Sequence, residues 1–158
     1  MSGWLKSAVF PASLEKEARA LLEGIRPVQM RRGTVLFRPI DRSQAFIVVL
    51  SGRVDVYLTG RTGREMLLYS VPPGETCGQT TLGVFADAAY TSEAIAESNL
   101  VITMVPESAF EKLLAGSAAF RAFVFMALAA RLKEMMNLLE QVAFTGIEER
   151  LARALLDR

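Results

Sequence analysis

The segment Pro72–Ala96, PPGETCGQTTLGVFADAAYTSEAIA, interrupts a chain that otherwise alternates apolar and polar residues through its middle third. Pro72, Pro73 and Gly74 end one extended run, because proline has no amide N–H to give a sheet ladder and glycine favours turns. Gly78 opens a short turn, and the spacing predicts about two turns of helix over Gln79–Phe85. Tyr90–Ala96 then returns to extended chain. A short helix wedged between strands points backbone N–H groups out of its first turn, which suits a small polar or anionic ligand. Gly78, Gln79, Thr80 and Thr81 lie in that first turn and are its candidate ligand-pocket residues.

Upstream, the period is two. Val28 and Met30 alternate with polar neighbours, Arg31-Arg32-Gly33 turns, and Val35 and Phe37 alternate again. Phe46–Leu50 is a continuous apolar run closed by Ser51-Gly52. Val54, Val56 and Leu58 alternate with Arg53, Asp55 and Tyr57, and Gly60-Arg61-Thr62-Gly63 reads as a hairpin turn before Glu65–Val71. Downstream, Leu100–Val105 is a further strand. Short strands joined by glycine-rich turns indicate a β-barrel or jelly-roll pair of sheets.

Helices flank the strands. Ser13 precedes LEKEARALLEGI, with Gly24 as its stop and Leu14, Ala18, Leu21 and Leu22 on one face. Pro106-Glu107 starts a piece that ends at Gly116. Ser117–Phe144 then has no Pro or Gly, and Phe125, Leu128, Leu132, Met135, Leu139 and Val142 are spaced 3, 4, 3, 4, 3. That is the period of a coiled-coil seam, so a homodimer is expected along this stripe. Phe123, Val124, Ala127 and Leu138 form a second set for packing within the subunit. Thr145-x-x-Glu148 has the capping-box pattern, Gly146 is the expected hinge, and the run from Ile147 reads as the first helix of a further domain. The expected organisation is residues 1–116 as a β-roll with its N-terminal helix, 117–144 as a dimerisation helix, and 145–158 as hinge and first helix of a further domain.

Composition narrows the chemistry. The chain has 158 residues and a formal net charge of +1, so charge alone gives no case for nucleic-acid or membrane binding. An apolar content of 51% suggests that some apolar surface meets a partner. There is no histidine, which argues against most zinc and non-haem iron sites and against a cupin-like metalloenzyme; no metal site and no enzymatic activity are expected. The single cysteine, Cys77, admits no internal disulfide and reads as a small buried residue in a reducing, cytoplasmic setting. No apolar run approaches the roughly 20 residues that span a bilayer.

Taken together, Gly33–Phe37, Ala45–Val54, Gly63-Arg64-Glu65, and Pro73-Gly74-Glu75 with Gly78 resemble the sensor domain of Crp/Fnr transcription regulators, over about residue 14 to the end. The resemblance implies an α+β fold: a cyclic-nucleotide-binding-type double-stranded β-roll with flanking helices and a long C-terminal dimerisation helix. DNA contact would come only through a C-terminal helix-turn-helix domain outside this chain. In the family's cyclic-nucleotide sites a Gly-Glu pair holds the ribose, and an Arg followed by Ser or Thr holds the phosphate. Those positions fall here at Gly78-Gln79 and at Tyr90-Thr91, while the adenine-facing positions of the dimer helix fall at about Met135 and Met136. No Lys or Arg lies between Arg64 and Lys112, and Glu75, Asp87, Glu93 and Glu97 sit in that window. A phosphodiester would lack its usual guanidinium partner unless Arg53, Arg64 or another cation reached it. The expectation is an effector-sensing and dimerising region that does not respond to ordinary cyclic AMP. The alternative is a cyclic-nucleotide-binding regulatory module for another output. The effector stays open between a cyclic nucleotide and haem, with neither favoured.

Overall fold

The computed structural model describes residues 4–7, 10–42, 45–86 and 89–157, without the side chains of residues 6, 7, 79, 82, 85 and 86. Two units follow one another, residues 1–124 and 125–158.

The first unit is built on two antiparallel sheets. β1 (Val28–Met30), β7 (Leu100–Pro106) and β3 (Ala45–Ser51) form one, in the order β1-β7-β3. β2 (Val35–Phe37), β6 (Glu93–Ala96), β4 (Val54–Thr59) and β5 (Glu65–Val71) form the other, in the order β2-β6-β4-β5. Val54, Val56, Val71, Ala94 and Ala96 of the second sheet are buried, as are Ile47, Val49 and Ile102 of the first. This is the jelly-roll pair expected from the period-two stretches.

The unbroken apolar run of β3 has a direct cause. β3 is an edge strand by pairing order, but residues 74–77 close that edge. Gly74 N–H donates to Val49 O (2.8 Å), Val49 N–H to Glu75 O (3.0 Å) and Cys77 N–H to Ile47 O (3.2 Å). One face of the strand turns to the roll. On the other, Phe46 meets Phe110 and Phe120 of the flanking helices at ring-centroid distances of 5.0 and 5.9 Å. A strand covered on both faces needs no polar alternation.

The helices are α1 (Trp4–Ser7), α2 (Lys16–Glu23), α3 (Gly78–Ala86), α4 (Glu107–Gly116) and α5 (Ala118–Leu156). α2 starts later than Ser13 suggested, because Leu14 N–H closes a turn onto Pro11 O and Glu15 takes the N-cap position. The Glu15 carboxylate does not cap its own helix. It accepts hydrogen bonds from Ser117 Oγ and from Ala119 N–H (3.3 Å), while Ser117 Oγ accepts from Phe120 N–H (3.0 Å). The long helix thus has a two-residue N-terminal cap, drawn in part from 102 positions upstream. Arg121 Nη1 donates to Leu114 O and Ala115 O, satisfying the last carbonyls of α4.

β6 also begins later than expected, at Glu93. Tyr90 instead exchanges backbone bonds with the 40–41 turn: Ile40 N–H donates to Tyr90 O (2.8 Å) and Tyr90 N–H to Asp41 O (2.9 Å).

The second unit consists of α5 beyond Val124, and one expectation about it changes. No helix break marks Thr145–Gly146: α5 runs unbroken from Ala118 to Leu156, 39 residues. Thr145 Oγ1 donates to Gln141 O (2.8 Å), the back-bond a threonine makes inside a helix, so the Thr-x-x-Glu pattern is not used as a cap. Along this unit Phe125, Leu132, Leu139 and Val142 are exposed, at 58, 62, 68 and 61%, and Leu128 and Met135 are half-buried.

Candidate functional site

The residues expected to form the pocket divide by what their side chains do. Gly78 opens α3 and is buried. Thr80 and Thr81 are buried, and both hydroxyls donate to Cys77 O at 2.9 Å. Thr80 Oγ1 also accepts from Ile47 N–H at 3.4 Å. The Thr80 hydroxyl ties α3 to β3, and the Thr81 hydroxyl bonds back to the residue just before its own helix. Gln79 lies in the first turn of α3, and its side chain is outside the described residues, as is the whole of Asp87. Cys77 is buried as expected, with its Sγ 3.8 Å from the hydroxyl of buried Tyr69. Met135 and Met136 belong to the second unit, the first half-buried and the second exposed.

Tyr90 is an expected residue with a cavity beside it. Its ring is buried and stacks on Phe37, with centroids 4.0 Å apart and 24° between planes. A cleft of about 320 Å³ opens there, walled by Leu36, Phe37, Ala45, Ile47, Tyr90 and Met104. Asp41 and Arg42 complete its lining. Thr91, next in sequence, is exposed and does not line this cleft.

The electrostatics differ from the sequence reading in one respect. Arg53 was a candidate cation for the pocket, but its Nε lies 3.0 Å from Asp55 Oδ1 and its Nη2 donates to Oδ2 at 3.3 Å. The Nε–Oδ1 contact is an ion pair off the hydrogen-bonding direction, so Oδ1 has charge compensation without a directed bond. Tyr57 joins the group, donating to Glu97 Oε1 at 2.9 Å. The glutamate acceptor, with desolvation behind it, pushes the phenol up to about 12. The cation beside Tyr90 is Arg42, in the turn Arg38-Pro39-Ile40-Asp41-Arg42, which sequence reasoning passed over. Its signal was available: two arginines around one aspartate, just ahead of the apolar run of β3. Ile40 in that turn has φ +69°, the non-glycine residue with positive φ among those described.

Comparison with known proteins agrees with this architecture. The family model for the cyclic nucleotide-binding domain matches residues 27–117. A CRP-like cAMP-activated global transcriptional regulator of Mycobacterium tuberculosis is 24% identical over 151 residues, covering 96% of this chain and 66% of the relative. The chain thus spans just under two thirds of the length of the curated relatives it matches. Among solved structures, a chain from Eubacterium rectale described as of the Crp/Fnr family aligns with a TM-score of 0.74 at 19% identity, over 99% of this chain and 70% of its own. The c-di-GMP-responsive global regulator CLP of Xanthomonas campestris aligns with a TM-score of 0.71 at 19% identity, over 90% and 72%. A CooA mutant from Carboxydothermus hydrogenoformans gives 0.68 at 20% identity, over 89% and 88%. These likenesses establish a shared fold. With more than half of its length matched by the family model and a roll of the corresponding kind, the chain belongs to the cyclic nucleotide-binding domain family, with CRP-like regulators as relatives and Crp/Fnr proteins as structural neighbours.

Proposed function

We propose that this chain is the effector-sensing and dimerisation region of a Crp/Fnr-type transcription regulator of the bacterial cytoplasm, with a non-enzymatic role and no response to ordinary cyclic AMP. The observation that carries the reading is the stripe Phe125, Leu132, Leu139 and Val142, exposed on a helix that continues from a cyclic-nucleotide-type roll. Four large apolar side chains at coiled-coil spacing are costly to leave in water, and a second copy of the same stripe covers them. The CRP-like relative supports a regulatory output, and DNA contact falls in this reading to a domain beyond the matched two thirds of such proteins.

Insensitivity to cyclic AMP is supported by the residues at the family's contact positions. Tyr90 stands where a phosphate-binding Arg is expected, and its ring is committed to Phe37. Thr80 and Thr81 spend their hydroxyls on Cys77 O. In the same reading Gly146, inside α5 with open space around its Cα, is where the helix bends when the effector binds. A mid-helix glycine costs about 1 kcal/mol relative to alanine, which makes it a weak point.

The test has two arms. Leu132→Asp should convert the dimer to monomer in sedimentation or light scattering; a dimer that survives removes the seam. Calorimetry with millimolar cyclic AMP should give no heat of binding. A micromolar dissociation constant would favour the second reading, a cyclic-nucleotide-binding module, for which the family match is the support.

A further inference from the structure

We infer that an open cleft on the three-stranded sheet, where β1 and β3 end and β7 begins, binds a small sugar phosphate, with the Arg31 guanidinium taking the phosphate. None of its lining residues belongs to the candidate effector pocket or to the stripe of α5. The inference therefore goes beyond the sensing reading and does not rest on it.

The ladder brings the polar side chains together. Gln29 and Ser51 both pair with Val101, one from each side of β7, so the three share one face of the sheet. A register shift between Val49 and Ser51 puts Ser51 there, because Val49 pairs with Ile102 on the buried face. Arg31, two residues after Gln29, and Asn99, two before Val101, continue the same alternation. These five side chains line a cleft of about 410 Å³.

The lining supplies donors and a positive charge. Asn99 Oδ1 accepts from Arg32 N–H (3.0 Å), which leaves Nδ2 of the same amide to donate. Gln29 and Ser51 are exposed and offer an amide and a hydroxyl. Among the described residues the Arg31 side chain has no hydrogen-bond or ion-pair partner, and no carboxylate lines the cleft. The surrounding sequence agrees: residues 24–40 hold Arg26, Arg31, Arg32 and Arg38 and no Asp or Glu. The planar fork of a guanidinium matches a phosphate, and the neutral groups around it match hydroxyls.

Size and shape limit what carries the phosphate. The volume lies at the small end of ligand pockets, room for one sugar ring and its ester. Met30, Leu100 and Val101 supply a short aliphatic floor for the C–H face of such a ring. No aromatic side chain is among the lining residues, so a nucleobase has nothing to stack on. The corner is also held in place by main chain. Beside Asn99, Ser98 Oγ accepts from Arg53 N–H at 3.0 Å. Donors fixed in this way lose little freedom when a ligand arrives.

The probe is glucose 6-phosphate, measured by calorimetry on the full chain against glucose and against inorganic phosphate. NMR follows the amide signals of Ser51, Asn99 and Val101. The ester should shift those signals and bind at least about tenfold more tightly than either match. Arg31→Gln should weaken it by about tenfold or more. Asn99→Asp keeps an oxygen for Arg32 N–H but sets a carboxylate against the phosphate, and should abolish binding with the melting temperature unchanged. Arg32→Gln, whose side chain lies outside the lining, should bind as the unaltered chain does. Glucose or inorganic phosphate bound as tightly as the ester, equal weakening by Arg31→Gln and Arg32→Gln, or no heat at millimolar ester would each overturn the assignment. The dimer and cyclic AMP tests are read separately from all of these outcomes.

Discussion

Gly52 and Tyr57 sit five residues apart and respond to change for different physical reasons. Gly52 has φ +86°, and a Cβ there would lie 2.3 Å from Asn99 O. Gly52→Ala therefore combines a left-handed backbone with a clash against main chain that cannot swing aside. A loss of about 1–3 kcal/mol from the backbone alone is expected, measured as a lower midpoint in urea. Tyr57 has its folded-state value raised from 10.0 to about 12, first by donating to Glu97. A raised value means that the folded state favours the protonated phenol. Its contribution to stability is whole below pH 10 and fades as pH climbs from 10 towards 12. Ultraviolet titration should show the Tyr57 phenol ionising above the ordinary tyrosine value, and Glu97→Gln should bring it back towards 10. Unchanged titration in Glu97→Gln would mean that the hydrogen bond is not the cause.

At the scale of elements, the start of α5 depends on Ser117 and Glu15. Ser117→Ala removes an N-cap and should cost about 0.5–2 kcal/mol, read from thermal denaturation. Glu15 carries the opposite sign of linkage from Tyr57. Its folded value is lowered, first by the Ser117 hydroxyl, so the ionised form is favoured by folding. That contribution is present above the ordinary carboxylate value of 4.5 and is lost as pH falls through the lowered one. The acid limb of a stability profile should therefore shift to higher pH in Ser117→Ala, and an unmoved limb would separate the two residues. The strands and helices were largely legible because period two and period 3.6 are local properties of the chain. The cap was not legible, since Glu15 and Ser117 meet only after the chain has closed over 102 positions. The break expected at Thr145 failed for a related reason: a threonine that can bond back to Gln141 O does not have to cap. Tyr90 was picked out by its place in a motif, whereas Arg42 required the turn at 40–41 to fold against it.

For the molecule as a whole, association along the exposed stripe would make stability a matter of concentration. If two copies join along it, the melting temperature should rise with protein concentration, because association stabilises only the folded form. Leu132→Asp should flatten that dependence, and a flat line in the unaltered protein would count against association. The aromatic cluster belongs to residues 1–124: Phe10, Phe46, Phe110 and Phe120 lie within 6.0 Å of at least one other ring centroid and are buried there. Finally, the solitary thiol of Cys77 lies sealed under Tyr69, between β3 and α3. Alkylating reagents cannot reach it without the 74–77 segment peeling from its strand. Because no other thiol competes, the rate of its modification is a clock for how often that seal lifts, and any ligand that tightens the sheet should slow it.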